Sequence, residues 1–95
     1  MSSSFVNIPF LHAGEDCEDC TKALKKIESA IEQCPDIPCK IDLIESHLNR
    51  AIETAIEKGI DTLPGFVIGE KVFNGKDDSE EEIIEAIKET WNQNQ

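Results

Sequence analysis

Long apolar runs are missing from this sequence. Its uninterrupted hydrophobic stretches fall far short of the ~20 residues that a bilayer-spanning helix needs, which excludes a transmembrane segment. Basic residues are scarce as well: nine lysines and arginines stand against 20 aspartates and glutamates, and the net charge of −11 repels nucleic acid and anionic lipid. Neither a nucleic-acid nor a membrane partner is therefore expected, although acidity alone names no function. The opening Met1-Ser2-Ser3-Ser4-Phe5 has neither the basic residue nor the long apolar stretch of a secretion signal, so a cytoplasmic chain is expected. Internal repeats and low-complexity segments are absent too. Residues 1–95 are expected to form a single domain, ordered from about residue 5 to residue 91, and to act as a monomer.

The apolar pattern that is present switches period several times. Phe5 to Leu11 has the length and composition of a strand, with Pro9 removing one ladder donor, and the polar stretch from His12 to Asp16 suits a loop. Cys20, Ala23, Leu24, Ile27, Ala30, Ile31 and Cys34 recur at three- and four-residue steps and make one stripe of a helix, which Pro35 and Pro38 stop. Cys39 to Leu43 is a short second strand. Ile44, Leu48, Ala51, Ile52, Ala55 and Ile56 read as the stripe of a second helix, closed by Gly59. Phe66-Val67-Ile68 and Val72-Phe73 flank a tight hairpin turn that needs a positive-φ glycine at Gly69. Ser79 and Glu82 make a capping box ahead of a last helix carrying Ile83, Ile84, Ile87 and Trp91, and residues 92–95 should fray. The expected fold is α/β, a four-stranded mixed sheet with three flanking helices in the order β-α-β-α-β-β-α, its first two strands parallel because a helix joins them.

The chemistry concentrates at Cys17-Glu18-Asp19-Cys20, between the first strand and the first helix. Backbone N–H groups at a helix start favour a thiolate on Cys17, while Cys20, one turn on, falls on the buried stripe and approaches the Cys17 sulfur. Cys17 is thus the exposed nucleophile and Cys20 the resolving thiol. Glu15, Asp16, Glu18 and Asp19 oppose that thiolate, each by ~0.5 kcal/mol at ~7 Å in a watery setting, together rivalling the ~0.3 to 1 kcal/mol of the helix terminus. Cys17 should therefore titrate much like a free thiol, and a poorly stabilised thiolate marks a reductant.

Thr62-Leu63-Pro64 ahead of Phe66-Val67-Ile68 resembles the Thr-Val-Pro or Ile-Pro signature of the thioredoxin superfamily, and with the element order the likeness runs from Phe5 to Trp91. The resemblance implies a thioredoxin-like fold in which the Leu63–Pro64 bond is cis and faces the cysteines. It also implies that the backbone at Leu63 pairs with an extended substrate segment, giving affinity with little side-chain selectivity. Phe73-Asn74-Gly75-Lys76-Asp77-Asp78 resembles the glutaredoxin Gly-Gly-x-Asp-Asp stretch that helps hold glutathione carboxylates, with Asn74 in place of one glycine. The Pro-Tyr between the glutaredoxin cysteines and the basic residue before them are absent. So are the Trp, Gly and Pro of Trp-Cys-Gly-Pro-Cys, and Ile8 to Leu11 hold none of the carboxylate that helps thioredoxins move the resolving proton. In overall shape the chain is most similar to the short thioredoxin-like proteins called small redox-active disulfide proteins.

Cys34 and Cys39 either form a second, structural disulfide or pack as small apolar residues, and a reducing compartment favours packing. A zinc site built from all four cysteines, spaced by two, 13 and four residues, meets a geometric objection. A helix over residues 20–33 would hold Cys34 about 20 Å from its start at ~1.5 Å per residue. No metal is expected. His12 sits beside the cysteine pair, where a structural or solvated role outweighs a catalytic one, and His47 has no catalytic context.

The function expected from the sequence is thiol-disulfide exchange with protein disulfides, without a bound cofactor, the dithiol being restored by a reductase or a low-molecular-weight thiol. The rival from another class is a thioredoxin-fold interaction module whose cysteines are not catalytic and whose acidic surface binds a basic partner.

Overall fold

The computed structural model describes residues 5–14, 17–75 and 78–93. Its elements are β1 (Val6–His12), α1 (Glu18–Glu32), β2 (Cys39–Glu45), α2 (Asn49–Lys58), β3 (Gly65–Ile68), β4 (Lys71–Phe73) and α3 (Glu80–Gln93). The strands form one mixed sheet in the order β2-β1-β3-β4, with β1 parallel to β2 and β3 antiparallel to both its neighbours. The result is a mixed α/β fold of four strands and three helices.

Alternation along the strands sorts the core onto two faces. Val6, Ile8 and Phe10 of β1 and Phe66 and Ile68 of β3 join Ala23 and Ile27 of α1 and Ile83 and Ile87 of α3 in one cluster. Leu11, Ile44 and Val67 point the other way and meet Ala51 of α2 and Ile60. Three aromatic rings brace the first face across neighbouring strands, with centroids 5.9 Å apart for Phe10 and Phe66 and 4.9 Å for Phe66 and Phe73.

Pro9 lies within β1, opposite Asp42 of β2, while pairing with β3 is confined to Phe10 and Leu11. The missing donor therefore falls just before the stretch where β1 becomes a strand with two neighbours. The hairpin turns at Gly69 and Glu70, and Gly69 takes a φ of 63° with its Cα facing the Thr90 side chain too closely for a Cβ. Ser79 Oγ accepts the Glu82 N–H at 3.2 Å and so caps α3.

Three sequence expectations are corrected. Ile44 belongs to β2, because parallel pairing with β1 continues to His12 opposite Glu45, and its side chain is buried. α2 starts only at Asn49, and Leu48, Ile52 and Ile56, expected on its buried stripe, are exposed. Asn92 and Gln93, expected to fray, complete α3. Among the described residues no helix is long and apolar enough to cross a membrane.

Candidate redox site

β1 ends at His12, and the chain then enters α1 at the same end of the sheet. Cys17 is the N-cap of that helix, with extended backbone (φ −82°, ψ 107°), and its Sγ accepts the Cys20 N–H at 3.2 Å. A cysteine thus takes the place usually held by a serine or aspartate oxygen. The sulfur lies on one of the orphan donors of the helix start, an environment that favours negative charge. Thr21 closes the turn, its Oγ1 donating to the Cys17 carbonyl at 3.1 Å.

Cys17 and Cys20 form a disulfide with their Cα atoms 5.2 Å apart. The two sulfurs differ in access: Cys17 is half-buried, whereas Cys20 is 4% exposed and belongs to the core against α1 and α3. Cys20 Sγ also accepts the Ala13 N–H at 3.4 Å. No pattern of residue types announces that contact, because the donor is main chain. Next along, the Gly14 N–H donates to His12 Nδ1 at 3.3 Å, and the Cys17 N–H donates to the Gly14 carbonyl at 3.4 Å. His12 therefore serves as an acceptor that shapes the loop, its ring stacked on Phe10 at 6.3 Å. Glu15 and Asp16, which the sequence places near Cys17, lie outside the described residues, while Glu18 and Asp19 are exposed in the first turn of α1.

Thr62, Leu63 and Pro64 precede β3. Gly65 pairs with Leu11, so the antiparallel register sets Pro64 across from His12 and brings this loop to the end of the sheet that carries the disulfide. The Leu63–Pro64 peptide is cis, the isomer that the resemblance implies. Pro64 is buried, the Leu63 side chain is exposed, and Thr62 Oγ1 lies 3.4 Å from the Pro64 carbonyl and 3.5 Å from that of Asn74. Gly75 presses on the proline from the other side: a Cβ there would sit 2.7 Å from Pro64 Cγ, and its φ of 79° is one that glycine adopts freely. The Gly75 N–H donates to Asp78 Oδ2 at 2.7 Å, and Lys26 Nζ of α1 donates to the Asp78 carbonyl at 2.6 Å. Gly75 of the Phe73–Asp78 stretch thus packs against Pro64, and Lys76 and Asp77 lie outside the described residues.

Cys34 and Cys39 lie beyond the far end of α1 and both are free thiols, so the second disulfide is not formed here. Cys34 is buried, and Cys39 packs against the same cluster with its thiol 3.5 Å from the Ile37 carbonyl. Burial, and secondarily the neighbouring Cys34, push the Cys39 thiol above its ordinary value. α1 runs for 15 residues, about 22 Å at ~1.5 Å per residue, so the two cysteine pairs stand too far apart to share an ion. Among the described residues no group of three or more metal-ligating side chains is gathered.

Fold and site together define an α/β domain with a Cys-x-x-Cys disulfide at the N-terminus of its first helix. Neither any protein-family model nor any curated protein matches the sequence.

Proposed function

We propose that this chain is a thioredoxin-like thiol-disulfide oxidoreductase that reduces protein disulfides through Cys17 and Cys20. The observation that carries the reading is Cys17 at the α1 N-cap, half-buried, bonded to a buried Cys20 and holding the Cys20 N–H on its sulfur. The mixed four-stranded sheet and the cis Leu63–Pro64 turn at the same sheet end support it.

In the dithiol form the Cys17 thiolate attacks one sulfur of a substrate disulfide. A bond forms from Cys17 Sγ to that sulfur, and the other leaves as a thiolate that takes a proton from solvent. Cys20 then loses its proton and attacks Cys17 Sγ. The mixed disulfide breaks, the second substrate thiol departs, and Cys17–Cys20 is restored as a disulfide, two electrons having passed to the substrate. The Ala13 N–H on Cys20 Sγ favours the charge that this sulfur must carry when it attacks. The proton that Cys20 gives up goes to a nearby base or to water. A reductase or a low-molecular-weight thiol returns the two electrons, and no bound cofactor takes part. Glu18 and Asp19, exposed in the first turn of α1, oppose the helix terminus at Cys17, and electrons run outward, from chain to substrate, in this reading.

The test is disulfide reduction in a small protein substrate with dithiothreitol as the recycling thiol. Wild type is expected to accelerate it over dithiothreitol alone, and Cys17→Ser to remove the acceleration completely. Cys20→Ser should accumulate mixed disulfides on Cys17. No acceleration by wild type would leave the non-catalytic interaction module as the better reading, and an unchanged acceleration in Cys17→Ser would remove Cys17 as the nucleophile.

A further inference from the structure

The apolar stripe of α2 is not used by the core. Leu48, Ile52 and Ile56 recur at four-residue steps on one side of the helix and its cap, and they are 40%, 54% and 79% exposed. Between this stripe and the proline loop opens a groove of about 400 Å³, walled by Ala51, Ile52 and Ala55 of α2 and by Leu63, with Leu11 and Ile60 below. It lies at the sheet end that carries the disulfide: Leu11 precedes His12, and the Ser46 N–H at the groove's border donates to the His12 carbonyl at 2.9 Å. An exposed apolar groove at the same end of the sheet as a reactive pair marks a place of contact.

Charge decides what can fill it. Asp61 lines the groove, and Glu45 stands exposed beside Ser46 at its border. Of the basic groups nearby among the described residues, Arg50 is held by Asp42 at 2.8 Å and His47 lies 3.4 Å from Glu45, which leaves Lys58 in the last turn of α2. A second copy of a chain carrying −11 charges, or an anionic lipid surface, is repelled. A basic segment is attracted.

We propose that this groove receives the segment of a protein substrate next to its disulfide, and that the segment offers a branched apolar side chain flanked by lysine or arginine. The inference rests on the oxidoreductase reading and adds selectivity to it. The apolar side chain fills the space between Ile52 and Leu63, and the flanking cations meet Asp61 and Glu45. The substrate disulfide is thereby carried to Cys17.

Binding and turnover are measured separately. Cysteine-free peptides with one isoleucine flanked by lysines or by glutamates are titrated into the oxidised protein at low salt, with backbone amide signals as the readout. The lysine-flanked peptide should bind at least about tenfold more tightly, shifting the signals of Ile52, Ala55 and Leu63, and should weaken as salt is raised. Ile52→Ser and Ile56→Ser together should lower its affinity by about tenfold while the melting temperature holds, since both side chains are exposed. Equal binding of the two peptides, shifts confined to another surface, or unchanged affinity in the double variant would overturn the proposal. The same sequences with an internal disulfide are then offered to the reduced protein, and the lysine-flanked one should show the higher kcat/KM. Reduction of both at one rate with binding of neither overturns the docking surface and keeps the oxidoreductase. Tight, selective binding without reduction keeps the docking surface and removes the oxidoreductase.

Discussion

The two faces of the sheet are covered very differently. On one, α1 and α3 close over β1 and β3 and join 14 buried residues in a cluster that runs from Val6 to Ile87. On the other, α2 covers only part of the sheet and its cluster holds five, so a large part of its own apolar stripe faces solvent. Cys20 sits in the thick cluster, whereas the Leu63 side chain borders the groove on the thin one. Division of labour follows. Under the proposed function the buried Cys20 is anchored by deep packing, and recognition falls to the face where packing is incomplete, since only an unfilled apolar surface has binding energy to give.

Truncating the thick cluster should produce the largest effect. Ile83→Ala removes a fully buried side chain and is expected to cost ~2 to 5 kcal/mol in a urea melt, against a smaller loss for Ile60→Ala beside the groove. A larger loss at Ile60 than at Ile83 would erase the contrast between the faces. Gly75→Ala comes next, at ~1 to 3 kcal/mol, because the new Cβ meets Pro64 and the residue keeps a φ of 79°. The variant should also lower the rate of substrate reduction, as it displaces the proline loop.

Cys39 gives a pH test at the edge of the thick cluster. Burial raises its thiol above the ordinary value of 9.0 in the folded chain, so the unfolded chain ionises first. The stability that Cys39 contributes is complete below about 9 and is lost as pH climbs from there through the raised folded value. Under reducing conditions wild type should lose more stability between pH 8 and pH 10 than Cys39→Ala, and Cys39 should alkylate more slowly than a free thiol. Parallel pH profiles would show that the group is as open as a residue of the thin face. The smallest effect is expected for Ile56→Ser, within ~0.5 kcal/mol by melting, since the side chain is 79% exposed.

Much of this arrangement was legible in the residue pattern. The three- and four-residue steps from Cys20 to Cys34, the Gly69 turn and the Ser79 cap each had a local cause, and each produced its element. Cys17 and Cys20 could be ranked by access, because one precedes the stripe and the other lies on it. The second helix was misjudged for a physical reason. Ile44 repeats with Leu48 at four residues as a helix would, but the parallel ladder with β1 holds it in β2, and ladder pairing is a long-range contact that local spacing does not encode. Exposure of Ile52 and Ile56 was equally hidden, since periodicity says which side chains share a stripe and not whether anything covers it. The wedge of Gly75 against Pro64 joins residues 11 positions apart through a turn, and neither residue type signals its partner.

The Ala13 donor to Cys20 has an evolutionary consequence. Every residue type except proline supplies an amide proton, so position 13 is free to drift in side chain while the Cys20 sulfur keeps its partner, and alanine-scanning would pass over it unnoticed. Only Ala13→Pro deletes the proton, which makes this small loop residue the point where the chemistry of Cys20 is open to change without touching a cysteine.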